Sequence, residues 1–138
     1  MSPQRRFPNN PSSVSEARRF VLDAVDLIST GDADAVAVMV SELATNAVRH
    51  TGSDFTVVVD RSTERIRVEV SDSGAGDPVV QAPDPKEPSG RGLQIVQALA
   101  TDWGVSPAAG ARGKTVWFAI AVEASPPESP SRATYRRT

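Results

Sequence analysis

Cysteine is absent from the 138 residues of this chain. The chain therefore has no disulfide framework, no thiolate zinc site and no cysteine nucleophile, and nothing in it points to an oxidising compartment. No apolar run approaches the roughly 20 residues that a membrane-spanning helix needs, and the proline-rich N-terminal stretch lacks the apolar segment of a signal peptide. We therefore expect a cytoplasmic protein without a membrane partner.

A large excess of positive charge is also lacking. The formal net charge is -2 and the isoelectric point is near 5.4, so the chain has no basic field of the kind that nucleic-acid binding requires. We do not expect DNA or RNA as a direct partner. The length fits a single domain whose core is large enough to be stable without covalent cross-links.

The N-terminal part of the chain predicts a short strand and a helix. Residues 5–7 allow one short extended piece before a proline-rich turn. From Val14 the apolar residues recur at helical spacing, with Ser13 or Ser15 as the expected cap. We expect this helix to end at Gly31.

A second predicted helix contains the sequence SELATNAVRH and is the centre of the functional argument. We expect Asp32 or Asp34 to cap it and the helix to end near Thr51. Glu42 and Asn46 are four residues apart, so they project from one helix face, one turn from each other. A carboxylate beside a carboxamide oxygen suits a general base beside a metal ligand. An isolated pair of this kind is more often solvated surface, so the assignment depends on motifs further along the chain.

Strict alternation of apolar and polar residues predicts a β-hairpin in the middle of the chain. The core-facing positions would be Phe55, Val57 and Val59 in the first strand and Ile66, Val68 and Val70 in the second. The second strand is expected to end at Asp72. An antiparallel pair with one buried face follows from this pattern.

The last third of the chain begins with a proline-rich stretch. Residues 77–90 are expected to form a loop long enough to serve as a lid, mobile without a ligand. A helix is predicted over 93–99 and strands over 103–105 and 115–122, with Trp103 and Trp117 packing in the core or on the sheet. Residues 123–138 have the composition of a disordered tail.

Three short boxes contain glycines where a ligand could approach the backbone. They are Asp72-Ser-Gly-Ala-Gly76 after the hairpin, Gly90-Arg-Gly-Leu93 before the predicted third helix, and Gly113-Lys-Thr115 at the last strand. Each alone is equally explained as a turn. The backbone N–H groups of the second box would also form an anion site at a helix start.

The order of these motifs resembles the nucleotide-binding superfamily of gyrase, Hsp90, histidine kinases and MutL, known as GHKL or Bergerat-fold proteins. Within that superfamily, the small size and the form of the SELATNAVRH box are most similar to the bacterial anti-sigma-factor serine/threonine kinases. The resemblance covers the chain from about Phe7 to Val122. It implies residues 1–13 as an N-terminal segment with an edge strand, 14–122 as the ATP-binding kinase domain and 123–138 as the tail.

The resemblance also implies roles for individual residues, with ATP and Mg²⁺ as cofactors. Glu42 matches the general base, Asn46 the Mg²⁺ ligand and Asp72 the acceptor of the adenine amino group. Gly74 and Gly76 match the turn on the adenine side. Gly90, Arg91, Gly92 and Leu93 match the phosphate-facing end of the lid. Thr115 matches the residue of the last box that supports adenine recognition.

Three residues keep open interpretations. His50 lies one turn beyond Asn46 and could touch phosphate or metal, or be a satisfied residue at the helix end. Arg91 could stabilise the γ-phosphate or be a solvated cation. Lys114 departs from the glycine-threonine pair more usual in the family, although its side chain can point outward.

The implied fold is a two-layer α+β sandwich, a mixed and mostly antiparallel sheet with helices on one face and ATP between the helices and the lid. The implied function is phosphorylation of a serine on an antagonist protein by a kinase that also binds a sigma factor, with a homodimer allowed. The alternative is a nucleotide-gated binding module without significant kinase activity.

Overall fold

The computed structural model describes residues 2–25, 28–50, 53–72, 88–107 and 113–122, with the backbone alone at 50 and 88–92. In chain order the described elements are β1 (Gln4–Phe7), α1 (Ser13–Val25), α2 (Thr30–His50), β2 (Phe55–Arg61), β3 (Arg65–Asp72), α3 (Pro88–Leu99), β4 (Asp102–Pro107) and β5 (Lys114–Ala121). All five strands join one sheet in the order β1-β2-β3-β5-β4.

The sheet and the helices form the predicted two-layer α+β arrangement. Alternate residues of β2 and β3 are buried against the helices, and the residues between them lie on the open face of the sheet. Every described strand pair is antiparallel. The expected antiparallel character is therefore confirmed, whereas the parallel pair implied by a mixed sheet does not occur among the described strands.

The hairpin of β2 and β3 is confirmed with its predicted face. Its turn is closed by the Ser62 N–H, which donates to the Arg65 carbonyl at 2.9 Å. The register aligns Phe55 with Asp72, so the start of β2 lies beside the end of β3. The predicted apolar positions of both strands are buried.

The short N-terminal strand is confirmed as an edge strand of the main sheet. Phe7 is fully buried, with its ring stacked on Phe55 at a centroid distance of 5.4 Å and edge-on to Phe20 at 5.9 Å. This phenylalanine joins the core that the helices and the sheet share. Residues 4–7 therefore pack as part of the folded domain.

The start of α1 differs from the prediction. Ser13 and Ser15 donate their hydroxyl protons to the carbonyls of Pro8 and Ser12, so neither is a capping acceptor. Asn10 supplies the acceptor instead, because its side-chain oxygen takes the Ser12 N–H at 2.9 Å.

The boundary between α1 and α2 is also earlier than predicted. The first helix ends at Val25, where the Arg61 guanidinium donates to the last carbonyl at 3.1 Å. The second helix begins at Thr30 and is capped by Ser29, whose hydroxyl accepts the Asp32 N–H at 3.0 Å. The expected end at Gly31 and the expected aspartate caps are therefore wrong, because the serine before the aspartates supplies the acceptor.

The third helix begins five residues before the predicted start. Pro88 is its first residue, a position where a proline costs no hydrogen bond. Gly90 and Gly92 consequently lie inside the helix rather than ahead of it. Most of the predicted lid, 77–87, lies outside the described residues, as does the predicted tail.

None of the helices in the described part of the chain is long and apolar enough to cross a membrane.

Candidate nucleotide site

The register of the sheet brings the sequence motifs to one end of the domain. Because β2 begins shortly after α2 ends, the pairing of Phe55 with Asp72 places the C-terminal end of α2 beside the end of β3. The pairing of Ser71 with Thr115 places the start of β5 at the same end. Helix α3 packs against α2. Three of the four predicted motifs therefore meet where the ends of α2, β3 and β5 come together.

Helix α2 presents Glu42 and Asn46 away from the core. Leu43, Ala44 and Ala47 are buried on its core side, whereas Glu42 and Asn46 are both half-buried. The four-residue spacing puts the two polar groups one turn apart on one face. Neither side chain has a hydrogen-bond or ion-pair partner within the described part of the chain. Both remain available to a ligand.

Two contacts hold α2 in position. Arg18 of α1 donates to the Ser41 hydroxyl at 2.8 Å, directly before Glu42. At the C-terminal end of α2, the Asn9 amide nitrogen lies 3.2 Å from the Val48 carbonyl and 3.0 Å from the Ser53 carbonyl. Carbonyls at a helix end lack intrahelical partners, so this asparagine serves as a cap supplied by the N-terminal segment.

Asp72 is a buried carboxylate at the end of β3. Its side chain is only 6% exposed, and Lys114 Nζ lies 3.2 Å from its Oδ2. Lys114 is 43% exposed, so the cation reaches inward from the rim to the buried anion. The expectation that this lysine can point outward is wrong. It shares the helix-facing side of β5 with Val116 and Phe118, and strand alternation directs it toward Asp72.

Thr115 lies on the opposite side of the sheet. Its hydroxyl is 2.7 Å from the Ser71 hydroxyl across the β3–β5 pair, on the open face. The structure therefore does not bring Thr115 together with Asp72. At the start of β5 the side chain that reaches Asp72 is that of Lys114.

The glycine boxes are described only in part. Gly74 and Gly76 lie outside the described residues. Gly90, Arg91 and Gly92 occupy the first turns of α3, where the structure gives their backbone positions. Leu93 follows them and packs, half-buried, against the core. His50 is the last residue of α2.

The donor set of the site suits an adenine nucleotide. A buried carboxylate can accept an amino group, and a helix face with one carboxylate and one amide oxygen offers hard oxygen ligands. No group of three or more histidine, cysteine, aspartate or glutamate side chains in the described ranges could hold a metal by itself.

Sequence reasoning missed two residues at this end of the molecule. Lys114 could have been found, because it is two, four and six positions before the buried Val116, Phe118 and Ile120 and must share their face. Asn9 gave no usable signal, since its partners lie 38 to 44 positions away in the sequence.

Comparison with known protein families identifies the family of this chain. Residues 7–120 match the family model of the histidine kinase-like ATPase domain, which spans well over half of the chain. The match begins at Phe7, the buried last residue of β1, and therefore leaves out the first three residues of that strand. A comparison with curated proteins gives no match. Domains of the matched family bind ATP, and the chain belongs to the histidine kinase-like ATPase family within the GHKL superfamily.

Proposed function

We propose that this protein is an ATP-dependent serine protein kinase that regulates a partner by phosphorylating it. The observation that carries the proposal is the pair Glu42 and Asn46, half-buried and without described partners, at the end of the domain that holds the buried Asp72. A domain that only binds nucleotide needs Asp72 and a phosphate site. It has no need of a free carboxylate one turn from the residue proposed to hold the metal.

In the proposed reaction, Glu42 accepts the proton of a serine hydroxyl on the partner protein. The serine oxygen attacks the γ-phosphorus of ATP, and the bond from that phosphorus to the β,γ-bridging oxygen breaks. The products are phosphoserine and ADP, and the proton remains on Glu42 until solvent removes it. Positioning of the two substrates supplies most of the remaining rate enhancement.

Asn46 would hold Mg²⁺ through its side-chain oxygen. This fits the ion, because Mg²⁺ prefers few protein ligands and completes its octahedron with phosphate oxygens and water. When bound, the ion neutralises charge on the transferred phosphoryl group. The chain's own contribution is to keep Asn46 one turn from Glu42 on a helix anchored by Arg18 and Asn9.

The test compares Glu42→Gln with Asp72→Asn. The Glu42 variant should bind ATP with wild-type affinity in calorimetry and transfer phosphate about 10²- to 10⁴-fold more slowly, the usual cost of losing a general base. The Asp72 variant should lose ATP affinity itself, because an amide can present a donor to the adenine amino group. Transfer at the wild-type rate by Glu42→Gln would refute the role of Glu42 as the general base.

The partners are proposed from the resemblance to anti-sigma-factor kinases: a sigma factor and an antagonist protein that carries the serine. Affinity capture with the protein loaded with ADP or with ATP, followed by identification of the bound proteins, tests this. If the wild type binds such a partner in a nucleotide-dependent way and transfers no phosphate to it, the protein is a nucleotide-gated binding module instead.

A further inference from the structure

We infer that Lys114 is a specificity-determining residue that reads the adenine base beside Asp72, by donating a hydrogen bond to the ring nitrogen N1. The inference rests on the ATP-binding part of the proposed function and adds a second point of recognition to it. Its starting observation is the contact of 3.2 Å between Lys114 Nζ and Asp72 Oδ2.

This contact differs from an ordinary surface ion pair in its burial. The other ion pairs of the described residues have side chains exposed by 34% to 71%, whereas Asp72 is exposed by 6%. A buried carboxylate needs a compensating charge or donor, and Lys114 provides one from the rim. The ammonium of this lysine therefore lies at the buried carboxylate that the proposed function assigns to the base.

The pair presents a hydrogen-bond acceptor, the Asp72 carboxylate, beside a group that can only donate, the Lys114 ammonium. A carboxylate has about four lone-pair sites, so Asp72 can keep Lys114 and still accept an amino group from a base. An ammonium has three N–H donors and no acceptor. One N–H of Lys114 can remain on Asp72 while another points toward the ligand.

Adenine offers the complementary pattern on one edge. Its amino group N6 donates and the adjacent ring nitrogen N1 accepts, which matches Asp72 and Lys114 in that order. Guanine and hypoxanthine carry an oxygen at position 6 and a proton on N1, so in the same orientation an acceptor would face Asp72 and a donor would face Lys114. Both contacts would become repulsive, and the pair would exclude those bases.

A threonine at position 114, as in the more usual form of the last box, would not enforce this order. A hydroxyl can either donate or accept, depending on its rotation. The ammonium of Lys114 only donates. With Lys114, nucleotide affinity should therefore depend more strictly on an acceptor at N1 than it would with a threonine at this position.

The experiment measures binding of ATP and of 1-deaza-ATP, in which N1 is replaced by C–H, to the full chain by calorimetry. The variants are Lys114→Met, which removes the donor, and Arg65→Met, which removes a cation from the far end of β3 where it pairs with the exposed Asp102. Circular dichroism and thermal melting confirm that each variant is folded.

The wild type and Arg65→Met should bind 1-deaza-ATP about 10- to 100-fold more weakly than ATP, the effect of one hydrogen bond to a charged group. Lys114→Met should bind both nucleotides with similar affinity. Equal affinities in the wild type would overturn the inference even if Lys114→Met did not fold. So would tighter ATP binding by Lys114→Met, because the lysine would then block the site.

These results separate the two proposals. A wild-type protein that binds no ATP would refute the proposed function together with this inference. A wild-type protein that binds ATP and 1-deaza-ATP equally would refute only the role of Lys114.

Discussion

Replacement of Phe7 by alanine tests whether the N-terminal strand is part of the domain's stability. Phe7 lies on an edge strand of four residues, yet its ring is fully buried between Phe55 and Phe20. The substitution removes a whole aromatic ring from the core and leaves a space that an edge strand and a helix can only partly close.

The expected cost follows from these contacts. Phenylalanine-to-alanine changes at buried sites cost about 3–5 kcal/mol. The two aromatic pairs place the value for Phe7 in the upper part of this range, because each contributes about 0.5–1.5 kcal/mol beyond its buried area. Total stabilities are about 5–15 kcal/mol, so the variant should be marginal. Urea unfolding followed by far-UV circular dichroism measures the free energy directly.

Two further measurements complete the test. Gln4→Ala changes an exposed residue of the same strand, and its free energy of unfolding should lie within about 0.5 kcal/mol of the wild-type value. A double-mutant cycle of Phe7 and Phe20 isolates the energy of their edge-on contact. A free energy of unfolding for Phe7→Ala within about 1 kcal/mol of the wild type would refute the reasoning, since the strand would then contribute little to the core.

Three other substitutions have expected outcomes. Asn9→Ala removes the donor to the carbonyls at the end of α2 and should cost about 1–3 kcal/mol in urea unfolding, whereas an unchanged stability would show that water replaces it fully. Gly104→Ala would put a Cβ 2.9 Å from Trp117 Nε1, so we expect the free energy of unfolding to fall by about 1–3 kcal/mol and the tryptophan fluorescence to change. An unchanged unfolding curve and an unchanged fluorescence spectrum would contradict this packing. Thr115→Val should leave ATP affinity unchanged, because its hydroxyl bonds Ser71 on the open face; a tenfold loss in calorimetry would restore Thr115 to the adenine site.

The strands were the most predictable part of the fold. The alternation in β2 and β3 identifies the buried face without knowledge of any partner, because a strand that packs on one side must alternate. Helix ends were less predictable. Ser29, Thr30, Asp32 and Asp34 are all residue types that cap helices, and the choice of Ser29 depends on where the chain turns between α1 and α2.

The helix and strands that carry the site could be predicted from the sequence, whereas the contacts between its side chains were harder to predict. Glu42, Asn46 and Asp72 could be placed from motif spacing, since each lies in a regular element or directly at its end. The contact between Lys114 and Asp72 depends on the register of β3 with β5, two strands separated by more than forty residues. That register is set by tertiary packing and has no local signal.

The strand order also has a consequence for synthesis. Strand β5 is the last strand in the described part of the chain, yet it lies between β3 and β4. The β2–β3 hairpin can form early from local contacts, but the outer edge of β3 stays unpaired until β5 has been made. During that interval the exposed edge carries the valines at 68 and 70 and is open to pairing with another chain. A nascent chain that pauses before residue 114 should therefore aggregate more readily than one that pauses after 121.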